Sequence, residues 1–353
     1  MAKFVLLFTA IAYTTNNHGK YEQYLKNTNK HNSFSKLNAL DKFKEFKGHA
    51  KNMTKRSNRG SKDIERDNIK RGFELFNNYT KITGGDLHNK SDVAKEAVET
   101  LGYILNKDVL AESRNALPVG ERKQFDKTIS KEGAKSRREF AKTLMSGKKE
   151  EKTFVTDSIK LFVKRQDRDK LLNKTLSILG GAGAFKIPIA TKSKLPPQAT
   201  AVVHELNEGE GHWGRDANKF KIKSRVIGMQ LVSDNGNEIE IKNLTQKISI
   251  RFVNITSDVV GKCGWWDVNL GEWSLNGCTR TATPPKDGLG AECMCNHLTE
   301  FAIVQEVTAN NTQPEEESSS EASELGIGLG VGVPSVLAVG YFGFVRSPNA
   351  AFG

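Results

Sequence analysis

The residues best equipped for chemistry lie together near the end of the chain: His297, Leu298 and Thr299, directly after Cys293, Met294, Cys295 and Asn296. Cutting a peptide bond without an outside protease needs a nucleophile next to the carbonyl it attacks and a group that takes its proton. The Thr299 hydroxyl can attack the Leu298 carbonyl through a five-membered ring. That moves the acyl group from nitrogen to oxygen and leaves an ester that water hydrolyses. The His297 imidazole, with an ordinary pKa of about 6.5, suits the role of proton acceptor near neutral pH. The event is a single turnover, which does not make the chain an enzyme. A relaxed threonine does not rearrange at a useful rate, so the surroundings must hold this bond off its relaxed geometry.

Cysteines supply one means of doing so. All four, Cys263, Cys278, Cys293 and Cys295, fall within residues 263–305. Cys293 and Cys295, with one residue between them, are expected to point to opposite faces of an extended strand and so to reach different partners. Four cysteines allow three pairings, and the residues alone do not choose among them. Structural zinc sites favour gaps of two to four residues within each ligand pair. Here a Cys-x-Cys accompanies two lone cysteines with fourteen residues between them, so neither a metal nor any other cofactor is expected.

Trp266, Trp273, Gly277-Cys278, the Cys-x-Cys and His-Leu-Thr-x-Phe-Ala follow one another in an order that resembles the GPS motif. That motif is the self-cleavage site closing a GAIN domain in adhesion-type G-protein-coupled receptors and polycystin-like proteins. The resemblance implies an α+β fold, with a helical subdomain ahead of an antiparallel β-sandwich. It implies disulfides Cys263–Cys293 and Cys278–Cys295, and a cut between Leu298 and Thr299. It also implies a strand after the cut that acts as a tethered agonist. Thr299, Phe301 and Ala302 match that strand and Ile303 is a conservative replacement, whereas Val304 and Gln305 stand where longer apolar residues are usual.

The elements that must position this site read as follows. Residues 71–181 carry helical stripes. Ser91 is a plausible N-cap for Ala94, Ala97, Val98, Leu101, Ile104 and Leu105, and a second helix holds Phe140, Ala141, Leu144 and Met145. A third is expected on Val155, Ile159, Phe162 and Val163, and a fourth on Leu172, Leu176 and Leu179, closing at Gly180-Gly181. From residue 182 the period changes to two. Residues 201–203 and 226–232 read as strands, 234–237 as a hairpin turn, and Ile239 and Ile241 alternate with glutamates on a return strand. Ile248, Ile250 and Phe252 alternate likewise, and residues 299–305 form the last strand, with Phe301 and Ile303 on its buried face. A strand bonded on both sides keeps the two fragments together after the cut.

Both ends are biased in composition. Residues 1–12 combine Lys3, an apolar run and Ala10-Ile11-Ala12, the pattern of a secretory signal peptide. Sequons at Asn52, Asn78, Asn89, Asn173, Asn243, Asn254 and Asn310 are glycosylation candidates and fit secretion. The net charge of +12 is concentrated in residues 13–70, which are expected to be a largely disordered basic lead-in. Sulfated glycans or anionic lipid headgroups would suit it as partners; nucleic acid is not expected in a secreted chain. Residues 307–324 read as an acidic stalk. Residues 325–345 form an uncharged run of 21 residues, about 32 Å as a helix against a hydrocarbon core of about 30 Å. Gly326 and Gly330 give this run a small-xxx-small face, and Tyr341, Phe342, Phe344 and Arg346 put its N-terminus outside the cell.

These features point to a protein of the plasma membrane with a single span in this chain and a short tail, residues 346–353. Its expected partners are its own C-terminal fragment, an extracellular protein or glycan ligand, and the membrane, with a G protein only where a seven-helix region follows. The reading is an adhesion-receptor-like ectodomain that cuts itself. The alternative is a stand-alone single-span adhesion protein or shed ectodomain.

Overall fold

A computed structural model describes residues 39–55, 62–145, 148, 150–178, 180–206, 219–253, 255, 259–281 and 290–307. Six helices come first among them: α1 (Ala39–Lys55), α2 (Lys62–Ile82), α3 (Gly84–Asn89), α4 (Ser91–Ile104), α5 (Lys107–Ala116) and α6 (Val119–Met145). Strands follow in chain order: β1 (Glu151–Val155), β2 (Ile159–Asp167), β3 (Thr175–Ser177), β4 (Gly183–Lys186), β5 (Gln198–Leu206), β6 (Phe220–Ile222) and β7 (Val226–Val232). The remainder are β8 (Ile248–Phe252), β9 (Lys262–Asp267), β10 (Glu272–Ser274), β11 (Cys278–Arg280), β12 (Ala291–Cys295) and β13 (Glu300–Glu306). The expected α+β class, helices first and antiparallel strands after, is what the chain adopts.

The strands make two antiparallel sheets. One runs β1-β2-β5-β7-β13-β9-β10, with β6 also paired to β13; the other runs β11-β12-β8-β4-β3. Helices cover the outer face of the larger sheet, so that sheet is buried on both sides. One apolar cluster joins the helical phenylalanines Phe43, Phe73, Phe76, Phe125 and Phe140 to Leu161, Val163, Val202, Ala302 and Val304 of the sheet. A second lies between the two sheets and holds Phe185, Met229, Ile250, Phe252, Phe301 and Ile303. Ring pairs carry the first cluster across the layers: Phe76–Phe140, tilted at 6.5 Å, and Phe140–Phe154, edge-on at 5.8 Å between centroids.

Burial on both faces explains where the sequence pattern misled. Val155, Ile159, Phe162 and Val163 fit a helical stripe, yet they lie on the β1–β2 hairpin. Ile159, Leu161 and Val163 face the helices while Phe162 faces the other sheet. Apolar residues on both sides of a strand have lost the alternation that would mark it. Thr156 closes the hairpin, its hydroxyl at 2.7 Å from the Ile159 carbonyl. The expected fourth helix is also absent: Leu176 lies on β3 opposite Phe185, and Asn173, at φ 55°, breaks any helical course after Leu172. Sheet structure therefore begins at Glu151, not at residue 182.

Other expectations change as well. Residues 39–55 and 62–70, placed in a disordered lead-in, are helical; Phe43, Phe46 and Ile69 are buried, and Phe46 packs on Tyr79 at 5.3 Å. Ser91 is the first residue of α4, with Lys90 in the cap position and no side-chain cap bond. The turn at 234–236 forms with Gly236 at φ 82°, but the return makes only an isolated bridge, Val232↔Glu238, before the chain leaves the sheet. Cys293 and Cys295 share one face of β12, both buried, because residues two apart on a strand point the same way. No helix among the described residues is long and apolar enough to cross a membrane. The signal-peptide segment, the stalk after Val307 and the 325–345 segment lie outside the described residues.

Candidate functional site

The two disulfides are Cys263–Cys293 and Cys278–Cys295, with Cα–Cα distances of 5.9 and 4.2 Å. They are the pair the GPS resemblance implies, and they leave no cysteine free for a metal. Cys293 crosses to β9 in the other sheet, whereas Cys295 bridges its register partner on the neighbouring strand β11. Two residues on one face thus reach different partners, one between the sheets and one within its own. The chain just past Cys295 is fixed from both directions.

That chain is residues 296–299, the link from β12 in one sheet to β13 in the other. Each residue of it is pinned. The Asn296 amide donates to Gly277 at 3.1 Å and its carbonyl accepts from Leu244 at 2.9 Å. The Leu298 amide donates to Ile241 at 3.0 Å, and the Thr299 carbonyl accepts from Met229 at 3.2 Å. Gly277 holds φ 82°, and a Cβ there would stand 2.5 Å from Asn296 Oδ1. Only glycine meets both demands at once.

His297 is packed rather than solvated. Its ring stands edge-on to Trp265, 4.3 Å between centroids, and 5.8 Å from Phe301. Trp265 is itself held by its indole donating to the Asn276 carbonyl at 2.6 Å. The His297 Nδ1–H donates to Asn296 Oδ1 at 2.8 Å, which leaves the lone pair on Nε2. That atom is buried and has no hydrogen-bond partner. Burial lowers the His297 pKa to about 4, with the nearby Asp267 carboxylate opposing it. At neutral pH the ring is therefore uncharged, and Asp267 is placed to favour the imidazolium once a proton arrives.

The Thr299 hydroxyl donates to the Trp266 carbonyl at 3.1 Å. It is thus aimed at the β9 backbone, and passing its proton to His297 requires that bond to be exchanged. Trp266 is fixed in turn against Trp273, the rings edge to face at 5.8 Å. His297, Leu298 and Thr299 line a groove of about 860 Å³ between α6 and the larger sheet, with Lys131, Lys135, Arg138, Lys242 and Asp267 on its walls. Past Thr299, Phe301 and Ile303 point between the sheets while Ala302 and Val304 point toward the helices. The strand therefore has two buried faces, where one was expected.

Four sequon asparagines, Asn78, Asn89, Asn173 and Asn243, are exposed. The Asn52 side chain and residues Asn254 and Asn310 lie outside the described residues. Sequence reasoning missed Asn296, Asp267 and Trp265 as neighbours of His297. The first stands in the motif itself; the other two reach the site only through the β9–β13 pairing.

A helical layer on a two-sheet sandwich, closed by a disulfide-clamped His-Leu-Thr link into a central strand, defines a GAIN-type domain ending in a GPS motif. Residues 124–309 match the family described as GPS, GAIN subdomain B, and the chain belongs to that family. Among curated relatives it is similar to latrophilin-like protein 1 of Caenorhabditis elegans, 30% identical over 27% of this chain and 10% of that protein. Similarity to adhesion G-protein coupled receptor G2 of Rattus norvegicus is 28% over 46% of this chain and 17% of the receptor. To adhesion G protein-coupled receptor G3 of Mus musculus it is 27% over 35% of this chain and 23% of the receptor. The chain thus spans less than a quarter of the length of each of these relatives.

Proposed function

We propose that this chain is the ectodomain portion of an adhesion-receptor-type protein of the cell surface, which cuts itself once between Leu298 and Thr299. The observation that carries the reading is the His297 imidazole, neutral at physiological pH with a buried, unpartnered Nε2, in the groove that Thr299 also lines. In this scheme the hydroxyl leaves the Trp266 carbonyl, gives its proton to Nε2 and attacks the Leu298 carbonyl. The imidazolium then returns that proton to the Thr299 nitrogen as the C–N bond breaks, so that this nitrogen becomes the amine of the new fragment, and water hydrolyses the ester. Asp267 stabilises the transient imidazolium. The backbone bonds on Asn296, Leu298 and Thr299 hold the reacting atoms in one arrangement.

The topology supports retention of both fragments. All four cysteines precede the cut, so neither disulfide spans it. β13 pairs with β7 through Glu300 and Phe301, with β9 from Phe301 to Val304, and with β6 from Val304 to Glu306. A strand bonded on both edges and buried on both faces stays bound without its covalent link. Pulled free, it would present the tethered-agonist-like residues Thr299, Phe301, Ala302 and Ile303 to a receptor core. An extracellular protein or glycan ligand and insertion in the plasma membrane complete the proposal, with coupling to a G protein only where a seven-helix region follows.

The test is expression of residues 13–324 in a secretory host, followed by denaturing gels. Two bands are expected from the natural sequence, and one from Thr299→Ala or His297→Ala. A single full-length band from the natural sequence removes the cleavage mechanism.

A further inference from the structure

The residue directly after the nucleophile is buried and charged. Glu300 is 4% exposed and Arg137 on α6 is 0% exposed, and they form an ion pair at 2.6 Å between Nη2 and Oε1. His204 of β5, also 0% exposed, stands 3.5 Å from the same oxygen, an electrostatic neighbour too distant for a good hydrogen bond. The three meet across Gly228 of β7, whose register partners are His204 on one side and Glu300 on the other. A Cβ at position 228 would stand 2.2 Å from the His204 ring and 3.0 Å from Glu300 Cγ. Glycine leaves the opening through which the helix reaches the strand.

This arrangement is a poor way to gain stability. Arg137 Nε and Nη1 are buried with no hydrogen-bond partner, and apolar side chains of similar volume commonly replace buried ion pairs without loss. What such a pair supplies instead is position, since it is satisfied in one register only. Its place is telling: a cut at Leu298–Thr299 makes Glu300 the second residue of the new fragment. Fraying of β13 from that end must separate Arg137 from Glu300 before it reaches the β9 pairing, which begins at Phe301.

We infer that Arg137 and Glu300, backed by His204 across Gly228, form a clamp by which the helical layer grips the strand that begins at the cut. The inference deepens the reading of self-cleavage with retained fragments, and its retention role rests on that reading. Arg137 is in this account a positioning residue: it touches none of the reacting atoms and acts through Glu300.

The clamp is tested in the full chain carrying Thr299→Ala, where the junction is intact whatever its natural fate. Hydrogen exchange of the amides of residues 300–304 is compared with Arg137→Met, Glu300→Gln and the double variant added. Each single change is expected to speed exchange in β13 by at least about 100-fold, the loss typical of breaking one side of a buried pair. The double variant is expected to do no more than either, with β2 and β5 unaffected. Unchanged β13 exchange, additive losses, or equal losses through both sheets would overturn the clamp. Should Arg137→Met not fold, Glu300→Gln, of nearly the same shape, carries the same expectation and the same refutation. A natural sequence that never cuts would sink the cleavage reading alone, because this comparison does not depend on the cut.

Discussion

Acid should weaken this fold through one buried histidine, and the size of the effect follows from its surroundings. His204 is fully enclosed, and its pKa is lowered from 6.5 to about 4, first by burial and then by the Arg137 charge, with Glu300 opposing both. The folded-state value is depressed, so the unfolded chain takes up the proton first. The stabilisation is complete above pH 6.5 and is lost progressively as the pH falls toward 4. Over that whole window the loss is about 3 kcal/mol, and from pH 7 to 5.5 it is about 1 kcal/mol. Replacing His204 with Phe keeps a ring in the site and removes the titration. Urea unfolding of both proteins at pH 7 and 5.5 cancels the contributions of the other six histidines. The natural protein should lose about 1 kcal/mol more than His204→Phe over that interval. Arg137→Met should reduce the excess, because removing the guanidinium raises the His204 pKa. Equal pH dependence in the natural protein and His204→Phe would refute the reasoning.

Three further outcomes are expected. With the His297 pKa near 4, the cut in newly synthesised chain, followed by pulse labelling and gels, should slow by less than about twofold from pH 7.5 to 5.5; an ordinary imidazole would slow it about tenfold. Cys278→Ser with Cys295→Ser opens a loop with a sequence separation of 17, which should cost about 3 kcal/mol in denaturant unfolding. Gly277→Ala forces a side chain onto Asn296 at a φ of 82°; a loss of about 1–3 kcal/mol is expected, with less product band because Asn296 orients His297.

What the sequence disclosed was the short-range part. Cys293, Cys295, His297 and Thr299 lie within seven residues of one another, so their order alone suggested the chemistry, and the resemblance it carried suggested the disulfide pairing. The helix–strand boundary was hidden because Ile159, Leu161, Phe162 and Val163 are apolar on both faces of β2, the consequence of a sheet sandwiched between helices and a second sheet. The first helix was hidden for the opposite reason: Phe43 and Phe46 are buried side chains set among lysines, and their partner Tyr79 lies on another helix. Arg137 and Glu300 gave no signal at all. Nothing local separates the fully buried Arg137 from the half-buried Arg138 beside it, and Arg137 and Glu300 are 163 residues apart.

Intact-mass spectrometry of the secreted chain, denatured but not reduced, bears most directly on the central claim. Because both disulfides lie ahead of the cut, the account predicts two species whose masses sum to the precursor plus one water, the smaller beginning at Thr299. One mass, that of the uncut chain, would contradict it.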